Sequence, residues 1–186
     1  MDSETENVNK ERNNVNDGWE FSTFDIIFTS IFTLCFIGQF ILLFFFNKGL
    51  DILLLEIIGY ILWGLSGIFG VLPMLIFKRK GNVPEGKSYI NTKKLVKDGL
   101  YAIVRHPQYA AGMLLSISIT LLVQTWISVI FSVIIIVLTY QWTYREDKEL
   151  IEKFGEDYRK YKEEIPRLNF LYGALKYLLR RKKELE

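Results

Sequence analysis

Long apolar runs separated by charged stretches organise this chain, with the lengths of membrane helices and not the alternation of strands. From Phe21 to Phe46, 26 residues carry one charge, Asp25. Roughly 20 apolar residues suffice for a helix to cross about 30 Å of hydrocarbon, so this run predicts a first crossing. Leu50 to Phe77 predicts a second, its charges Asp51 and Glu56 lying near its beginning. The third run, Tyr109 to Tyr144, has 36 residues, too many for one crossing, and the polar Gln124-Thr125 interrupts it. It predicts a tight helical hairpin of two helices of about 16 residues, each reaching about 24 Å.

The polar stretches have patterns of their own. Between Arg145 and Glu164, Leu150, Phe154, Tyr158 and Tyr161 recur at helical spacing and predict an amphipathic helix. Asn169 to Glu186 follows with Leu171, Leu175, Leu178 and Leu179 on one side and Arg180-Arg181-Lys182-Lys183 at its end, the pattern of a helix lying on anionic lipid. Residues 1–18 offer too little apolar surface to repay ordering and are expected to be a disordered tail. The Met-Asp-Ser-Glu start lacks the basic region of a cleaved signal, so the first apolar run is expected to remain as an anchor. The fold expected is an all-α polytopic membrane protein with about four transmembrane helices, the last two a tight hairpin, plus cytosolic amphipathic C-terminal helices. Its parts are the tail at 1–18, helices one and two within 19–80, a loop at 81–108, the hairpin at 109–144 and the C-terminal helices at 145–186.

Composition agrees: half of the residues are hydrophobic and 15% aromatic, yet 24% are charged, because the two kinds occupy separate blocks. The net charge of +2 balances 23 basic against 21 acidic residues and suggests no nucleic-acid partner. Placement is more informative. Lys78, Arg79, Lys80, Lys87, Lys93, Lys94, Lys97 and Arg105 fall between Lys78 and Pro107, twelve more basic residues follow Tyr144, and Lys48 alone marks the opposite face. The positive-inside rule therefore puts both long polar segments and both termini in the cytoplasm. Cys35 is the only cysteine, so no disulfide framework or thiolate metal site is expected. Gly59, Gly64, Ser66, Gly67 and Gly70 are expected to serve helix packing, the Ser66/Gly70 pair at small-xxx-small spacing, and Pro73 to bend the end of the second helix.

A hairpin brings its two flanks together, so the loop ending at His106 meets the segment beginning at Arg145. Tyr101, Arg105, His106, Tyr109, Arg145, Glu146 and Asp147 are expected to share one interfacial cleft, where partial desolvation strengthens charge pairing. His106 is the only histidine of the chain.

Two motifs carry a resemblance: Leu95-Val96-x-x-Gly99-x-Tyr101-x-x-x-Arg105-His106-Pro107-x-Tyr109 before the hairpin, and Glu146-Asp147-x-x-Leu150-x-x-x-Phe154-Gly155-x-x-Tyr158-x-x-Tyr161 after it, ending at Pro166-Arg167. Together they resemble the isoprenylcysteine carboxyl methyltransferase family and its phosphatidylethanolamine methyltransferase-like relatives, over about Lys87 to Arg167. The resemblance implies an integral membrane enzyme that moves a methyl group from S-adenosyl-L-methionine to a lipid-embedded acceptor, a prenylcysteine-type carboxylate or a related lipophile. It implies a cofactor pocket of Leu95, Val96, Tyr101, His106, Pro107, Gln108 and Tyr109, with Glu146 holding the ribose or amino-acid part. No GxGxxG follows a strand, in keeping with a site that is not a Rossmann fold. Arg105, Arg145 and Glu146 are the charged groups expected to serve catalysis.

Where the family has an arginine one turn before the glutamate, thought to position the acceptor carboxylate, this chain has Trp142, and Arg145 is the nearest substitute. Trp142 and Arg145 are accordingly the expected acceptor-binding residues. A carboxylate acceptor needs no base, whereas an ammonium acceptor does. Three other functions remain open: a phospholipid amine N-methyltransferase, an NADPH-dependent membrane reductase of the sterol type, and a non-enzymatic lipid-binding protein. A metal is not expected.

Overall fold

The computed structural model describes residues 23–46, 48–81 and 94–185. The expected tail at 1–18 and the first part of the 81–108 loop lie outside the described residues. Among the described residues six α-helices follow one another: α1 (Thr23–Phe45), α2 (Leu53–Lys80), α3 (Pro107–Val123), α4 (Trp126–Phe154), α5 (Glu156–Glu164) and α6 (Phe170–Leu185), with a short 3-10 helix at Gly99–Ala102. The all-helical polytopic architecture is as expected. By length and composition α1, α2 and α4 can cross a membrane. With its 17 residues, α3 is the shorter fourth member and reaches about 26 Å.

This short helix is the hub of the bundle, packing against α1, α2 and α4. Its residues explain why. Ala110, Ala111, Ser116 and Ser118 are all buried, and such small side chains let neighbouring backbones approach. Ser66 Oγ on α2 donates to the Ala111 carbonyl at 2.9 Å, and Ser118 Oγ donates to the Gly59 carbonyl at 2.8 Å. A Cβ on Gly59 would come within 2.9 Å of Leu122, and one on Gly70 would touch Ala111 at 3.8 Å. The expectation for the glycines is met only in part, since Gly64 and Gly67 face open space.

Gln39 of α1 ties the same bundle toward the α3–α4 turn. Its amide nitrogen donates to the Ser116 carbonyl (3.2 Å), Thr120 Oγ1 (3.1 Å) and the Ser128 carbonyl (3.3 Å), and Ser116 Oγ donates back to its oxygen at 3.0 Å. At one end of the bundle the α1–α2 and α3–α4 turns interlock: the Ile52 N–H donates to Gln124 Oε1 at 2.8 Å and Gln124 Nε2 donates to the Ile52 carbonyl at 3.0 Å. The hairpin reverses at Gln124, which adopts left-handed backbone (φ 54°), and Thr125 caps α4 by accepting from the Ser128 N–H.

Three boundaries differ from expectation. The second arm of the hairpin has 29 residues and not about 16, because α4 continues past Tyr144 without a break to Phe154. Its apolar part spans the bundle and its charged part projects beyond it. The expected single helix from Arg145 to Glu164 is interrupted at Gly155, whose φ of 58° is a left-handed value that a side chain resists. The chain turns there into α5. α2 also runs through Pro73 to Lys80, three residues beyond Phe77.

Candidate active site

The charged end of α4 gathers the loop and the C-terminal segment around one carboxylate. Asp147 Oδ1 accepts from His106 Nε2 at 2.8 Å, Tyr158 OH at 2.6 Å and Arg105 Nη1 at 2.9 Å. Its Oδ2 accepts from Arg167 Nη2 at 2.8 Å and Nε at 3.1 Å. Asp147 is 2% exposed, so the cluster is a desolvated one in which every partner counts. Burial by itself raises the pKa of this carboxyl. The hydrogen bonds from His106 and Tyr158 and the neighbouring positive charges outweigh it and hold the group well below the usual carboxylate range.

Main-chain pairing supports the cluster. The Arg105 N–H donates to the Pro166 carbonyl at 3.0 Å and the His106 N–H to the Arg167 carbonyl at 3.2 Å. Tyr161 OH donates to the Tyr101 carbonyl at 2.7 Å. Burial pushes the phenols of Tyr158 and Tyr161 up, so both are neutral donors at ordinary pH. The guanidinium of Arg167 also lies 3.5 Å from the centre of the Tyr144 ring. Tyr158 and Tyr161 therefore hold other groups in place.

A pocket of about 720 Å³ lies against this cluster. Leu95, Val96, Tyr101, Arg105, His106, Pro107, Gln108, Tyr109 and Glu146 all line it, joined by Phe77, Phe154 and the Tyr158–Tyr161 wall. Phe77 stacks on Tyr101 at 4.7 Å. Tyr109 OH donates to Glu146 Oε2 at 2.8 Å, and the Tyr109 ring stands edge-on to His106. Pro107 opens α3 at a position where its missing N–H costs nothing. Arg105 is 8% exposed, and its Nε is the one buried side-chain nitrogen or oxygen without a hydrogen-bond partner among the described residues.

Two expected site residues are elsewhere. Arg145 turns away from His106 and forms a two-pronged ion pair with Asp25 of α1, with Nη2 to Oδ2 at 2.9 Å. It also reaches Glu149 at 3.5 Å. Trp142 stacks obliquely on Phe28 at 5.0 Å and lines a separate apolar cavity of about 470 Å³ with Phe28, Thr29, Phe32, Tyr109 and Thr139. The cleft expected to hold both Arg105 and Arg145 is thus divided, because residues 145 and 146 leave the helix about 100° apart. Tyr109 borders both spaces. No group of three or more potential metal ligands occurs among the described residues.

The sequence-based reading passed over three groups. Asp147 was placed in the cleft only as a neighbour of Glu146, Arg167 only as the end of a motif, and Asp25 only as a lone charge in an apolar run. An acid isolated in a membrane helix is a signal for a buried partner, and Asp25 carried that signal.

Known proteins bear on this region of the chain. The isoprenylcysteine carboxyl methyltransferase (ICMT) family profile matches residues 87–152. A protein-S-isoprenylcysteine O-methyltransferase of Schizosaccharomyces pombe is 32% identical over 73 residues, which are 39% of this chain and 31% of that relative. The match therefore spans about a third of the relative's length. No solved structure matches the chain significantly. Residues 87–152, from the loop before α3 into the charged end of α4, are thus similar to the isoprenylcysteine carboxyl methyltransferase family, in keeping with the motifs they contain.

Proposed function

We propose that this chain is an integral membrane methyltransferase that uses S-adenosyl-L-methionine and acts on a lipid-embedded acceptor, foremost a prenylcysteine-type carboxylate. The observation that carries the reading is that one pocket is lined by His106, Gln108, Tyr109 and Glu146 and shares Tyr109 with an apolar cavity between α1 and α4. A polar donor and a lipophilic acceptor need such neighbouring spaces.

The residues present suit that donor. Arg105 Nε offers a buried hydrogen bond to a carboxylate, Glu146 offers negative charge to an ammonium or acceptance to ribose hydroxyls, and Phe77, Tyr101 and Phe154 offer aromatic faces to a purine. When bound, the donor supplies an electrophilic methyl group. The chain's contribution is to hold the pocket rigid through the Asp147 cluster, to orient Glu146 through Tyr109, and to keep water from the apolar side; this is catalysis by position and preorganised charge. The basic segments meet at the pocket end of the bundle, which by the positive-inside rule is the cytosolic one.

A second reading, methylation of a lipid amine, is favoured by the lining of the apolar cavity. None of its residues is basic, and the nearby Arg145 is held by Asp25. A carboxylate entering there meets no cation of the cavity wall, whereas an ammonium finds Glu146, through Tyr109, as a proton acceptor.

Equilibrium binding to the purified full chain tests the first step: S-adenosyl-L-methionine binds and NADPH does not. Binding of NADPH alone refutes the methyltransferase reading, and binding of neither favours a lipid-binding role. Incubation with methyl-labelled donor, prenylcysteine analogues and aminophospholipids then assigns the acceptor, by label in a carboxyl ester or on nitrogen.

A further inference from the structure

Away from the His106 pocket, three segments enclose a second polar groove of about 910 Å³. Lys97 comes from the loop, Lys160 from α5, and Arg180 and Arg181 from α6, and they face a single carboxylate, Glu164. Arg180 already pairs with Glu164 at 3.3 Å and donates to its main-chain carbonyl at 3.1 Å. Lys97, Lys160 and Arg181 have no ion pair among the described residues. The groove is an uncompensated positive site with room for a phosphate group.

The opposite side of α6 is apolar and uncovered. Leu171, Tyr172, Leu175, Leu178 and Leu179 each expose more than half of their surface. This helix is fastened to a bundle whose helices are long enough to cross a membrane. Phe170 packs on Phe69 of α2 at 5.1 Å, and Gly173 meets the Ile103 carbonyl so closely that no Cβ would fit. A helix docked in this way has its leucines beside acyl chains and its inner cations at the depth of lipid headgroups.

We propose that the groove between α5 and α6 binds the phosphate headgroup of an anionic phospholipid of the leaflet that the leucine face of α6 borders. Charge selects the lipid class. A zwitterionic headgroup also needs an anion for its ammonium, and the only carboxylate of the groove is engaged by Arg180. The site is independent of the methyl-transfer reading, since its residues belong to neither the His106 pocket nor the apolar cavity, apart from Tyr161 in the shared wall.

Lipid retention by the full chain, measured by native mass spectrometry after exposure to equal amounts of phosphatidylglycerol and phosphatidylcholine, tests the proposal. The unaltered chain retains phosphatidylglycerol preferentially, and Lys160→Ala/Arg181→Ala lowers that preference about tenfold or more at an unchanged melting temperature. Lys97→Gln, on the loop wall, lowers it severalfold by itself, so the outcome does not rest on the folding of the double variant. Lys162→Ala/Lys183→Ala removes equal charge outside the groove and leaves the preference intact. Absence of any preference, or equal loss in this last variant, overturns the proposal in favour of diffuse surface attraction. Displacement of the lipid by equimolar soluble glycerol phosphate overturns it in favour of a soluble-anion site.

Discussion

Two buried polar clusters hold this bundle at different depths, and they are built from opposite materials. The Gln39 cluster, inside the apolar span toward the α3–α4 turn, uses amides and hydroxyls of neutral side chains and main chain. The Asp147 cluster, beyond the apolar span, combines one carboxylate with two guanidinium groups, an imidazole and a phenol. Hydrocarbon penalises charge heavily, so the cluster inside the apolar span is neutral, while Asp25, in the first turn of α1, is paired with Arg145. At the rim, charge can be desolvated by protein alone, and there it draws together segments far apart in sequence. The candidate site rests on the charged cluster.

The sharpest way to break this contrast is Asp147→Ala. It strands Arg105 and Arg167 without a counter-charge, and the expected cost is about 3–5 kcal/mol, read as a large fall in thermal stability of the purified protein. Tyr158→Phe removes one hydrogen bond to the carboxylate and should cost about 1.5–3 kcal/mol. The same variant has a pH signature. Because the folded-state pKa of Tyr158 is raised, its contribution is complete below about pH 10, the unfolded value, and is lost as pH rises above it. A melting-temperature profile should therefore fall more steeply on the alkaline side in the unaltered chain than in Tyr158→Phe. Asp147 acts in the opposite sense: its lowered pKa keeps its contribution intact above about pH 4 and confines the loss to stronger acid.

In the neutral cluster, Gln39→Leu should cost only about 0.6–1.7 kcal/mol, since polar contacts between membrane helices are individually modest. An effect as large as that of Asp147→Ala would show that depth does not separate the two clusters. Smallest in stability is Glu146→Ala, expected within about 0.5 kcal/mol of the unaltered protein. Its effect is on ligand, with donor affinity falling tenfold or more in the same binding assay. Unchanged affinity would remove Glu146 from the donor site.

Much of this was legible in the residues. A polar pair in the middle of an overlong apolar run marked the reversal at Gln124, and the pocket wall from Leu95 to Tyr109 was legible because one motif supplies it. The end of α4 was not, since the loss of apolar residues after Tyr144 marks the edge of lipid and not the end of a helix. Nor could sequence distinguish which neighbouring acid turns inward. Glu146 faces the pocket and Asp147 the cluster, a difference of one residue set by partners 11 to 42 positions away. Arg145 was drawn from the expected cleft by Asp25, 120 residues earlier.

Tyr109 is a party wall between two chambers of unlike character, one wet and one oily. A ring in that position cannot give room to one side without taking it from the other, and its hydroxyl is tethered on the wet side by Glu146. The width of either chamber is thereby set in part by the same side chain that bounds the other.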